Sequence, residues 1–160
     1  MGAKRAAGQR MSTIINDAYP LSPMQQGMLF HSLYAPCSGV YVKQIVCTLH
    51  EEIDATLLRE IWRDAVARHG ILHTAFRWQE VERPLQQEYA SVDVPWVELN
   101  WQHLSDAGQK ERLSEFLDRD RRKDFALSTA PLMRLTLIRN GAADFILVWT
   151  YHHALLDRWS

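Results

Sequence analysis

Hydrophobic and polar positions change period several times along the chain, and each change marks an element. Ser22-Pro23 supplies a hydroxyl cap followed by a first-turn proline, and Met24, Met28 and Leu29 continue an apolar face towards His31 and Leu33. This predicts a helix that Pro36 and Gly39 bring to an end. Over residues 40–50, Tyr41, Lys43, Ile45, Cys47 and Leu49 alternate with Val40, Val42, Gln44, Val46 and Thr48, with apolar residues on both faces. The expectation is a strand in a well-covered sheet, with Cys47 packed in the core. Asp54 is placed to cap a helix running to His69, in which Leu57, Leu58, Ile61, Ala65 and Val66 form the inward stripe and Gly70 provides a left-handed stop. A strand over residues 72–79 follows. Residues 84–98 read as shorter strands punctuated by Pro84 and Pro95, and a polar helix over residues 105–123 turns Leu113, Phe116 and Leu117 inward. Strands over residues 132–139 and 144–151 flank Asn140-Gly141, a tight-turn signal that predicts an antiparallel hairpin. With no internal repeat, low-complexity tract or linker, the pattern reads as one α+β layer structure, a sheet covered by helices.

Composition narrows the classes. The chain has 160 residues, 47% of them hydrophobic and six of them tryptophan, enough to build one substantial core. Its net charge of −1, with both signs mixed along the sequence, supplies no field for nucleic acid or an anionic membrane surface. No apolar run approaches the length of a membrane span, and residues 1–10 carry positive charges without the apolar core of a secretion signal. Cys37 and Cys47 therefore read as reduced thiols of a cytoplasmic protein. Residues 1–18, small, basic and polar without periodicity, read as a flexible leader.

The candidate chemistry sits where the last strand gives out. His152 and His153 follow a β-branched and aromatic run, with Asp157 shortly after. Adjacent side chains on a strand point to opposite faces, so the two imidazoles cannot serve one small ligand from an extended backbone. One is expected to be structural, which leaves a single candidate base. If the chain turns into a helix after the pair, His153 and Asp157 become neighbours on one face. A metal reading of His152, His153 and Asp157 is disfavoured, because adjacent histidines diverge and no further cysteine or histidine pair has ligand spacing. Neither a Gly-rich phosphate loop nor a Ser-centred nucleophile elbow is present.

Three stretches, in order, resemble the condensation domains of nonribosomal peptide synthetases, relatives of chloramphenicol acetyltransferase. Leu21-Ser22-Pro23-Met24-Gln25-Gln26-Gly27-Met28-Leu29-Phe30-His31 resembles the family's first signature, Arg68-His69-Gly70-Ile71-Leu72-His73-Thr74-Ala75-Phe76 its second, RHxxLRTxF, and residues 152–158 its third, HHxxxDG. The resemblance covers residues 19–160, whereas whole domains of the family are considerably longer and carry later signatures not found in this sequence. The chain thus resembles the N-terminal lobe of such a domain, without the C-terminal lobe that completes the reaction channel. Two positions depart from the pattern: Arg158 stands where the family has glycine, and His73 where the second signature has arginine. Arginine lacks the backbone freedom of glycine, so a different local turn or channel shape is expected.

The resemblance implies an acyltransferase that joins an acyl or peptidyl thioester on a donor carrier protein to the amine of an aminoacyl acceptor on a second carrier. Both substrates would be held on phosphopantetheine, with no cofactor or metal bound directly by this lobe and an adenylation domain downstream in the full synthetase. It assigns His153 as the catalytic residue, either removing the proton of the acceptor amine or positioning that amine, a role suited by an imidazole's unperturbed pKa near 6.5. His152, Asp157, Arg158, Arg68 and His73 become supporting residues, Asp157 holding the site's shape by pairing with an arginine of the second lobe. Two other readings follow from the same residues: a non-catalytic docking module for carrier proteins, in keeping with the missing lobe and Arg158, and a relative that acylates an alcohol or amine. The 160-residue segment alone is expected to be inactive.

Overall fold

The computed structural model describes residues 14–156. Its elements run β1 (Ile15–Pro20), α1 (Pro23–Tyr34), β2 (Val42–Leu49), α2 (Ala55–Arg68), a 3-10 turn (Gly70–His73), β3 (Thr74–Arg77), β4 (Leu85–Tyr89), β5 (Trp96–Asn100), α3 (Asp106–Arg121), β6 (Met133–Arg139) and β7 (Phe145–His152). Each helix begins where a side chain takes up orphan backbone donors. Ser22 forms a reciprocal capping box with Gln25, Asp54 accepts from the N–H groups of Thr56 and Leu57, and Ser105 accepts from that of Gly108.

The strands divide into two sheets rather than one. The smaller is antiparallel, in the order β1-β4-β3; the larger runs β2-β7-β6-β5, antiparallel except for the β5–β6 pair. Residues 15–18, expected to belong to the leader, are instead the first part of β1, with Ala18 opposite Gln87. Residues 1–13, the rest of that expected leader, lie outside the described residues.

Alternation along β6 and β7 gives the larger sheet two apolar faces. Met133, Leu135, Leu137, Phe145 and Leu147 pack with Val66 and Leu72 on the α2 side, while Ile138, Ile146 and Val148 pack with Phe116 and Trp101 on the α3 side. A third cluster joins Met28 and Leu29 of α1 to Phe76 of β3, Leu132, Ala154 and Leu155. α1 is therefore the apolar link between the smaller sheet and the end of β7.

Several expectations need correction. β2 lies at the edge of its sheet, so Ile45, Val46 and Cys47 are exposed and Cys47 is not core. The α2 stripe is narrower than predicted: Val66 is buried, but Leu57 and Ile61 are more than half exposed, at 55% and 54%. Met24 likewise faces solvent. Gly70 has no left-handed φ; it opens the 3-10 turn, and a Cβ there would lie 2.5 Å from the Glu88 carboxylate. The strand expected over residues 72–79 is correspondingly shortened. At Asn140-Gly141 the hairpin closes through residues 140–144, with both N–H groups donating to the Asp144 carbonyl, a wider loop than a two-residue turn.

Candidate active site

β7 ends at His152, and the chain reverses at once. The N–H of Leu155 returns to the His152 carbonyl at 3.0 Å, which places His153 and Ala154 at the corner of a turn. The expected continuation into a helix is therefore replaced, up to Leu156, by this turn; Asp157 and Arg158 lie outside the described residues.

His152 is 4% exposed, on the face of the sheet that carries Val148 and Thr150. Its Nδ1 accepts from the Ala154 N–H at 3.2 Å, and its Nε2 lies 3.2 Å from the Ser32 hydroxyl of α1. A backbone N–H only donates, so the neutral ring carries its proton on Nε2 and gives it to Ser32. Burial pushes the His152 pKa down to about 4; the Asp124 carboxylate pulls the other way, and His153 adds to the depression. At neutral pH this imidazole is uncharged. Beside it opens a cavity of about 280 Å³, walled by the end of α1, Tyr41, Trp78 and residues 124–128.

His153 is half-buried, and its N–H donates to the Tyr41 carbonyl at 2.7 Å. Its Nδ1 lies 2.8 Å from the Leu156 carbonyl, which only accepts, so Nδ1 carries the proton. The lone pair is then on Nε2, which has no hydrogen-bond partner among the described residues. A histidine held in this tautomer is equipped to take a proton at Nε2.

A sequence model described as "Condensation domain" matches residues 15–160. The chain belongs to the condensation-domain family. A linear gramicidin synthase polypeptide of Brevibacillus parabrevis is 44% identical over 147 residues, which cover 92% of this chain and 3% of that protein. A plipastatin synthase polypeptide of Bacillus subtilis is 36% identical over 145 residues, covering 91% of this chain and 4% of that protein. The chain thus spans a few per cent of the length of the curated relatives it matches. Among solved structures, a four-domain nonribosomal peptide synthetase bound to AMP and glycine superposes with a TM-score of 0.81 at 17% identity, over 94% of this chain and 11% of that one. The starter condensation domain of rhizomide synthetase gives 0.79 at 18% identity, over 90% of this chain and 36% of that one. These likenesses establish the expected α+β condensation-domain fold.

Within that fold the second signature reaches the histidine turn through Phe76, which packs in one cluster with Ala154 and Leu155, and not through its polar residues. Arg68 is exposed in the last turn of α2, whereas His73 is buried in the 3-10 turn and its Nδ1 donates to the Tyr89 carbonyl. Among the described residues, no hydrogen bond or ion pair joins Arg68 or His73 to His152 or His153. His73 instead ties the turn to β4.

The residues that do contact the pair were not singled out by sequence reasoning. Ser32 and Tyr41 hold the two histidines, and Gln25 of α1 donates to the Ala154 carbonyl at 3.0 Å. The spacing Ser22-x-x-Gln25 was a visible capping signal, but it spoke only for the glutamine's oxygen. On the same face of the sheet, Asp120 at the end of α3 accepts from Arg134 at 2.7 Å, Thr150 at 2.6 Å and Gln44 at 2.9 Å. Burial would raise the Asp120 pKa, yet these donors, Arg134 foremost, outweigh it and hold the carboxyl below its usual range.

Proposed function

We propose that this chain is the N-terminal lobe, residues 15–160 once β1 is included, of a condensation domain that forms an amide between a carrier-bound thioester donor and a carrier-bound aminoacyl acceptor. The observation that carries the reading is the fixed tautomer of His153, with Nδ1 engaged by Leu156 and the Nε2 lone pair unclaimed among the described residues.

Nε2 accepts the proton that the acceptor amine must shed as its nitrogen bonds to the thioester carbonyl carbon. The tetrahedral intermediate then collapses, the C–S bond breaks, and the departing sulfur takes the proton back from His153. The products are an amide on the acceptor and a free phosphopantetheine thiol on the donor. His152, neutral and buried, shapes the turn and leaves the reacting proton to its neighbour. Asp157 and Arg158 follow the pair after three intervening residues; in this reading Asp157 supports the site through an arginine of the C-terminal lobe, and Arg158 reshapes the adjacent channel. Arg68 and His73 serve as packing and polar scaffold supporting the site, and not as reactants. The carriers, the second lobe and a downstream adenylation domain are the partners, and the cytoplasm is the compartment.

The test is product analysis. A polypeptide extending through the complete domain, given donor and acceptor carriers loaded with thioesters, should yield an acceptor carrier whose mass has grown by the donor acyl group. If the loaded donor is only hydrolysed, or remains intact, the assignment is wrong.

A further inference from the structure

The two residues at the corner of the histidine turn are flanked by three successive peptide planes, each tied by a hydrogen bond of its own. The His153 N–H is bound to the Tyr41 carbonyl, and the Ala154 N–H to Nδ1 of His152. The third plane, between Ala154 and Leu155, is held at both ends: the Leu155 N–H by the His152 carbonyl, and the Ala154 carbonyl by Nε2 of Gln25 at 3.0 Å. This plane precedes Leu156, whose carbonyl fixes the ring of His153.

The glutamine is itself fully committed. Its second amide hydrogen goes to Oε1 of Gln86 at 2.7 Å, and Gln86, 1% exposed, donates in turn to the Tyr19 hydroxyl at 2.8 Å. Its oxygen accepts from the Ser22 N–H at 3.0 Å. A continuous run of hydrogen bonds therefore leads from β1 through β4 and α1 to the turn that carries His153.

We propose that Gln25 is a positioning residue for His153, acting through the Ala154 carbonyl. The proposal rests on the reading of His153 as the base. Without the two donors of Gln25, the third peptide plane keeps only its Leu155 end and is free to tilt. The Leu156 carbonyl then moves with it, and the imidazole loses the contact that selects its tautomer. Displacements of about 1 Å at a reacting group cost on the order of 100-fold in rate.

Two variants separate this role from helix capping. Gln25→Glu keeps an oxygen for the Ser22 N–H, since glutamate also closes a capping box, but has no hydrogen to give Ala154 or Gln86. Ser22→Ala removes the capping hydroxyl and leaves the glutamine donors in place. Ring nitrogen shifts of His153, measured by NMR on the 160-residue chain, should report one Nδ1–H form in the wild type and in Ser22→Ala, and a mixture of tautomers in Gln25→Glu. Gln25→Met, which loses both donors without introducing a carboxylate, should give the same mixture. In the complete synthetase, Gln25→Glu should lower kcat for amide formation about 10- to 100-fold, with KM for the acceptor carrier unchanged. A single tautomer in both Gln25 variants, or an equal loss in Ser22→Ala, would overturn the proposal. A wild-type synthetase that makes no amide while its His153 keeps the Nδ1–H form would count against the proposed function instead, leaving the NMR comparison to decide the role of Gln25.

Discussion

His152 and His153, adjacent in sequence, carry their protons on opposite ring nitrogens. The Ala154 N–H occupies Nδ1 of His152, so that ring donates from Nε2 to Ser32, whereas the Leu156 carbonyl takes the Nδ1 proton of His153. One imidazole has both nitrogens engaged inside the protein; the other has an Nε2 lone pair that no described residue claims. A single turn thereby gives two identical side chains different chemistry.

The buried ring makes stability depend on pH. The folded-state pKa of His152, about 4, lies below the ordinary 6.5, so the unfolded chain binds more protons between those values. Stability is complete above pH 6.5 and falls as pH drops towards 4, by about 3 kcal/mol at 1.36 kcal/mol per unit. Urea midpoints measured across this range should slope downward towards acid in the wild type. His152→Asn, which keeps an acceptor near the Ala154 N–H, should flatten the slope.

Asp120 and Arg134 form an ion pair whose side chains are only 11% and 12% exposed. Removing one partner strands the other, so Asp120→Ala should destabilise the protein by about 3–5 kcal/mol. Replacing both by apolar residues of similar size should recover most of that loss. Because the Asp120 pKa is held below the usual carboxylate range, the pair's contribution is present at neutral pH and disappears as pH falls through that lowered value. Denaturant melts of the single and double variants check the first two expectations, and acid titration of the wild type the third.

Burial should separate two aliphatic substitutions. Leu132, 0% exposed, packs in the cluster that joins α1 to Ala154 and Leu155, and Leu132→Ala should cost about 2–5 kcal/mol. Ile45 on the edge strand is 42% exposed, so Ile45→Thr should stay within about 0.5 kcal/mol. Equal effects in thermal melts would contradict the placement of β2.

What the sequence disclosed was mostly local. Ser22, Asp54 and Ser105 mark helix starts because a cap acts within three residues, and the alternation in β6 and β7 survives because both faces of those strands are covered. β1 was missed because its residues are all exposed and its partner is β4, far along the chain. β2 was misread for a related reason: alternating apolar residues look the same whether or not a helix lies over them. The histidine pair was legible as a strand end with diverging side chains. Its supports were not, since Gln25 reaches Ala154 across 129 positions and Ser32 reaches His152 across 120.

The central claim is that Nε2 of His153 handles the proton of the attacking amine. Its most direct test is the single-turnover rate of amide formation between loaded carriers, compared for the wild-type synthetase and His153→Ala. The account predicts a loss of about 100- to 10,000-fold, with carrier binding retained. Equal rates in the two proteins would contradict it.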